Sequence, residues 1–251
     1  MRQAHFRFYA ELNDFLPPER RLAPFPHNFI DAASVKDMIE SLGVPHTEVE
    51  LILVNGEPVD FSYIVQDADR VSVYPVFESF DITPLLRVRP RPLRESRFVL
   101  DAHLGRLAGY LRMVGFDTLY RNDYQDEELA LISRDEHRIL LTRDRGLLKR
   151  SAVTHGYYVR ETQVRLQLVE VLRRFDLWRS MAPFERCLRC NALLQPASPE
   201  QIAERLPPQT GQLYGEFQAC PRCGRIYWKG GHYRRMQKFV ESVRESARPL
   251  S

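Results

Sequence analysis

The sequence predicts an α+β domain followed by an α/β domain on a parallel sheet, with a four-cysteine metal site near the C-terminal end. Three observations carry this. In residues 1–80, segments with two-residue apolar alternation flank one helical pattern, as half-buried strands around a helix do. From 98 to 175, short apolar runs alternate with amphipathic helices, the pattern of a parallel sheet. All four cysteines fall in the last third, as Cys187-x-x-Cys190 and Cys220-x-x-Cys223.

The elements follow in order. "AHFRFYAEL" alternates as a first strand, and a second strand is allowed before the helix. "SVKDMIESLGV" puts Val35, Met38, Ile39 and Leu42 on one helical face, with Ser34 as N-cap and Gly43 as the stop. "VELILVNGEPV" is a strand entering the turn Asn55-Gly56, and "DRVSVYPVF" closes the domain. Residues 81–97, "DITPLLRVRPRPLRESR", hold three prolines and five arginines and read as a semi-rigid basic linker.

In the second domain, 98–180, "FVL" is a strand ending at Asp101. A helix with Leu104, Leu107, Leu111 and Val114 on one face follows and closes at Gly115. "FDTLYR" is the next strand, and "DEELALISRDEH" a helix with acid in its first turn, as the helix dipole favours. "RILLT" and "GYYVR" are strands separated by the short helix "RGLLKRSA". "TQVRLQLVEVLRRFDL" is a helix with Val164, Leu168, Val171, Leu172 and Phe175 inward. The cysteine region spans 181–240, and 241–251 reads as a tail.

Parallel topology brings the carboxyl ends of strands, and the helix N-termini that follow, to one edge where ligands bind. Asp101, Asp126 with Glu127, Asp144 and Glu161 each belong to a different connection at that edge. Carboxylates gathered at one point repel unless a cation sits among them, and oxygen ligands suit Mg²⁺ or Mn²⁺. Such a site fits phosphodiester hydrolysis, with Arg143 and Arg145 holding phosphates and Arg106 and Arg112 as further candidates. Each acid also has a plainer reading: Asp101 and Asp126 as helix caps, Asp144 as a turn former, Glu127 as a solvated face. His103, His137 and His155 read as structural or exposed. The two C-x-x-C pairs read as thiolate knuckles closing a tetrahedral structural zinc ribbon, with Asn191 and Gly224 suited to the turns. Tyr227, Trp228 and Tyr233, interleaved with Arg225, Lys229, Arg234, Arg235 and Lys238, suit either a single-strand grip or packing of the ribbon.

Two resemblances rest on these motifs. "FYAEL", "SVKDMIESLGV", "LVNGEPV" and "DADRVSVYPVF" resemble the β-grasp, ubiquitin-like sulfur carriers of molybdopterin and thiamine synthesis. Those carriers end in Gly-Gly, whereas Phe77-Glu78-Ser79-Phe80 stands here, so the resemblance implies docking rather than sulfur transfer. "FVLDAHLGRLAGYLRMVGFDTLY", "DEELALISRDEHRILLTRDRGLL", "RCLRCNALL" and "CPRCGRIYWKGGHYRRM" resemble the C-terminal RNase domain of the Mut-seven family. That resemblance implies a PIN-like, metal-dependent RNase carrying a zinc ribbon. It implies Asp101, Asp126 and Asp144 as the acids, with Glu127 able to stand in for Asp126 and Glu161 as a guess for a fourth.

Charge separates the two parts. Residues 1–80 hold six basic and thirteen acidic residues, and 81–251 hold thirty and twenty. A basic part suits a polyanion such as RNA, while the acidic one is expected to recruit a protein partner or shield the RNA face, and to be dispensable for cleavage. No run is long and apolar enough to span a membrane and no signal peptide is visible, so a cytoplasmic protein is expected. The alternatives to an RNase are a non-catalytic RNA-binding adaptor and a partner-docking β-grasp protein.

Overall fold

Strand β1 (Arg2–Phe8) buries alternate residues, among them Phe6 and Phe8, and so sets one face of the first sheet against a core. The chain is described from a computed structural model at residues 1–75, 96–207 and 209–248. The expected linker therefore lies almost wholly outside the described residues. β1 pairs antiparallel with β2 (Phe25–Phe29) and parallel with β5 (Arg70–Tyr74). β5 pairs with β3 (Leu51–Val54), and β3 with β4 (Glu57–Val59), giving the order β2-β1-β5-β3-β4. The expected strand into the Asn55-Gly56 turn is thus β3, and β4 beyond the turn makes it a hairpin. Asn55 (φ 53°) and Gly56 (φ 94°) both take positive φ, as a two-residue turn with the sheet's own twist requires. The first strand is shorter than expected, because the chain leaves it for a 3₁₀ turn at Ala10–Phe15. Helix α1 (Val35–Ser41) starts at the expected cap, where the Ser34 side chain accepts from the Asp37 amide at 3.1 Å.

The second domain holds two parallel pairs. β6 (Phe98–Leu100) pairs with β7 (Thr118–Tyr120) across helix α2 (Gly105–Met113). After helix α3 (Asp126–Asp135), β8 (Ile139–Thr142) pairs with β9 (Gly156–Tyr158) across the single turn α4 (Arg145–Leu148). All of β6 and β8 is buried, as expected of parallel strands. Helix α5 (Val164–Arg174) buries Leu168, Val171 and Leu172.

The cysteine region carries a three-stranded antiparallel sheet, β10 (Gln195–Ala197), β11 (Phe217–Ala219) and β12 (Ile226–Trp228). Short helices α6 (Pro199–Ile202) and α7 (Thr210–Leu213) stand between β10 and β11. Helix α8 (Gly231–Ala247) corrects the expected tail: it crosses residue 240 and buries Val240, Val243 and Ala247. It packs on α5, where Arg173 donates to the Ser246 carbonyl.

Two compact units divide the chain: residues 1–95 and 126–158 form one, and 96–125 and 159–251 the other. Among the described residues no helix is long and apolar enough to cross a membrane.

Candidate active site and metal centre

Asp144 stands directly after β8 and caps α4. Its Oδ1 accepts from the Gly146 amide at 2.7 Å and the Leu147 amide at 3.4 Å. Its own amide donates to Thr142 Oγ1 at 2.9 Å, so the strand end dictates the turn. A Cβ on Gly146 would stand 3.1 Å from Asp144 Oδ1, a tight contact that the glycine avoids. The side chain is exposed, and among the described residues Oδ2 has no hydrogen-bond partner. Asp126, also exposed, opens α3 with Glu127 beside it, and one oxygen lies 3.8 Å from Arg150 Nη2. The plain capping reading of Asp144 therefore holds, and it leaves one carboxylate oxygen for other work.

In the other unit, Asp101 follows β6 and is 7 % exposed. It accepts from the His103 amide at 3.3 Å, and His103 Nδ1 lies 3.2 Å from its Oδ1. His103 is exposed, one of the two readings expected of it, and its i+2 spacing from an acid at a strand end brings its ring against that acid. Gly105 lets this turn close, since a Cβ there would sit 2.4 Å from Tyr120 Oη, which donates to the Ala102 carbonyl. Glu161 is exposed, with its amide donating to Glu170.

The four candidate arginines separate. Arg106 is exposed on α2, and Arg143 is half-buried after β8. Arg112 and Arg145, also expected as phosphate binders, donate to protein carbonyls. Arg112 is 5 % exposed, with Nε donating to the Thr118 carbonyl and Nη1 to those of Leu188 and Arg189. Burial pushes its guanidinium down, while Cys187 and Cys190 beside it pull the other way. Arg145 Nη1 lies 3.2 Å from the Phe15 carbonyl and Nη2 3.3 Å from that of Asp14.

The four cysteine sulfurs lie within 4.8 Å of one another, with Cys187–Cys223 at 3.5 Å and Cys190–Cys220 at 3.3 Å. Four thiolates about 2.3 Å from one tetrahedral ion stand roughly 3.8 Å apart, so the set fits a metal ion. Burial raises the Cys187 thiol, but hydrogen bonds from Tyr227 Oη and from the Cys190 and Arg189 amides outweigh it and bring the thiol to about 6. Burial and the neighbouring thiols push Cys190 up to about 12. Asn191 (φ 70°) and Gly224 (φ 73°) take the left-handed turns expected of them. Asn191 also ties the first knuckle to β7, donating to Asp117 Oδ1 at 2.7 Å and accepting from the Thr118 amide at 3.0 Å.

Tyr227 serves the knuckle, since its hydroxyl lies 3.2 Å from Cys187 Sγ and accepts from the Leu188 amide. Together with Trp228 and Tyr233 it also lines a cavity of about 550 Å³, shared with Phe184, Phe217 and Lys229. Tyr233 packs on Phe184 with ring centres 4.6 Å apart.

Residues 96–240 match the family model of the Mut7-C RNAse domain, and residues 1–81 that of the Mut7-C ubiquitin domain. No curated protein and no solved structure matches the chain.

Proposed function

The chain belongs to the Mut7-C RNAse-domain family and carries that family's ubiquitin-like domain, and from this premise we propose that it is a metal-dependent ribonuclease. The observation that carries the reading is Asp144: an exposed carboxylate at the carboxyl end of a buried parallel strand, with Oδ2 left over after the cap is made. Hard cations seek such an oxygen.

In this reading Asp101, Asp126 and Asp144 hold Mg²⁺ or Mn²⁺, with Glu127 beside them. The bound ion supplies charge stabilisation at the phosphate and acidifies water. Arg143 and Arg106 neutralise phosphates of the RNA. The cysteines hold structural zinc, and Arg112 offsets part of the negative charge that four thiolates leave around a divalent ion. The aromatic cavity beside β12 takes bases of a single strand by stacking, with Lys229 at its margin. The chain acts in the cytoplasm, and its ubiquitin-like domain offers a surface to a protein partner.

The test is to incubate the purified protein with labelled RNAs and Mg²⁺ or Mn²⁺ and map the product ends. Asp144→Asn keeps the side chain's size and its cap but removes a charge; cleavage should fall roughly 10²–10³-fold while folding persists. Arg143→Ala should instead weaken RNA binding and lower the salt slope by about one, with metal affinity kept. Cleavage by Asp144→Asn at the wild-type rate removes the nuclease reading and leaves an RNA-binding adaptor.

A further inference from the structure

Arg145 directly follows Asp144, and its side chain reaches back across most of the chain's first half. Its guanidinium donates to the carbonyls of Asp14 and Phe15 and lies over the Phe15 ring, 4.9 Å from its centre, and 5.6 Å from that of Tyr158. The Phe15 and Tyr158 rings meet edge to face at 5.5 Å. Three more contacts join the same stretches. Lys149 Nζ donates to the Glu40 carbonyl at 2.6 Å, in the last turn of α1, where the helix dipole favours a cation. His46 Nε2 lies 2.8 Å from the Val153 carbonyl, with Nδ1 on Glu40. Glu48, only 1 % exposed, accepts from the Tyr158 amide at 2.6 Å. Tyr158 packs against the hydrophobic core of the ubiquitin-like domain.

These contacts begin at the residue after Asp144 and continue to Tyr158. Thr142 fixes the Asp144 turn from behind and Arg145 from ahead. We propose that the ubiquitin-like domain is a positioning platform for the nuclease, holding the Asp144 turn in place through Arg145. This rests on the reading of Asp144 as a metal-binding acid. It replaces the expectation that the domain only recruits or shields, and it makes Arg145 a positioning residue instead of a phosphate ligand. A displacement of about 1 Å at a reacting group can cost about 100-fold in rate, so a loosened turn is enough to lower catalysis.

The test uses the full chain. Arg145→Ala should lower kcat roughly 10- to 100-fold, leave RNA Kd and its salt slope unchanged, and speed hydrogen exchange at the Gly146 and Leu147 amides. Arg145→Lys, which keeps the charge but loses the fork, should recover part of both effects. Phe15→Leu, made in the other domain, should act in the same direction and be non-additive with Arg145→Ala; it carries the test if Arg145→Ala does not fold. Weaker RNA binding with a shallower salt slope would return Arg145 to the phosphate role and overturn the proposal, as would unchanged kcat and exchange. If the wild type cleaves no RNA the nuclease reading fails, while exchange at the turn still decides whether the platform holds it.

Discussion

The two halves of the region that matches the RNAse-domain model are braced by different devices. Around β8 and β9 the brace is the ubiquitin-like domain, through Arg145, Lys149, His46 and Glu48. Around β6 and β7 it is the cysteine region, through Arg112 and Asn191. In each case an arginine reads the backbone carbonyls of the module that braces it. The difference is what makes the module rigid. The ubiquitin-like domain has a core of its own, led by Phe6, Phe8, Ile39 and Ile52. The three short strands by the cysteines have little apolar burial beyond Phe217, so in the proposed zinc-ribbon reading their order depends on a bound ion. On that reading one brace is permanent, and the other is conditional on metal.

The strongest way to break this contrast is to remove the ion. Chelation or Cys220→Ser should forfeit a metal-binding energy of roughly 10–16 kcal/mol. Residues 180–228 should become sensitive to protease and exchange protection should drop in β6 and β7, while the amides of 145–158 keep theirs. Equal loss in both halves, or native protein without zinc on metal analysis, would end the distinction. A smaller effect is expected from Arg112→Ala in metal-loaded protein. It strands the Thr118, Leu188 and Arg189 carbonyls and should cost about 3 kcal/mol in urea unfolding, with zinc content retained. The least disruptive change is Asn191→Gly, which keeps the left-handed turn and loses only the side-chain bonds. It should cost about 1–2 kcal/mol and lower the zinc affinity measured by competition; no change in either would leave Arg112 as the working link.

Local features of the fold were legible in the sequence because their causes are local. The Ser34 cap, the Asn55-Gly56 turn and the Asn191 and Gly224 knuckle positions each follow from a residue's own conformational preference. Strand β2 was faint because "FPHNF" carries a proline, which only an edge strand tolerates, and β2 is an edge. Helix α8 beyond 240 was missed although Val240, Val243 and Ala247 keep helical spacing; charged residues between them read as a tail. At the candidate site, the acids at strand ends could be named from the pattern. The distant partners of Arg112 and Arg145 could not, since Leu188, Arg189, Phe15 and Asp14 lie 76 or more positions away and a long side chain's target is set by tertiary packing. Glu48 and His46 hid in the polar stretch "PHTEVE", where nothing local announces that β9 will cover them.

The interleaving of the two compact units bears on how the chain is made. A ribosome releases residues 1–95, then 96–125, whose unit is not complete until the last residues emerge, then 126–158, which belong with what came first. The first unit must keep the surface for β8 and β9 open while a segment of the other unit passes. Closing such nested, long-range contacts is slow, and exposed apolar surface in the interval invites aggregation. For the same reason no single cut yields two intact halves: a fragment ending at 125 holds part of each unit and the whole of neither.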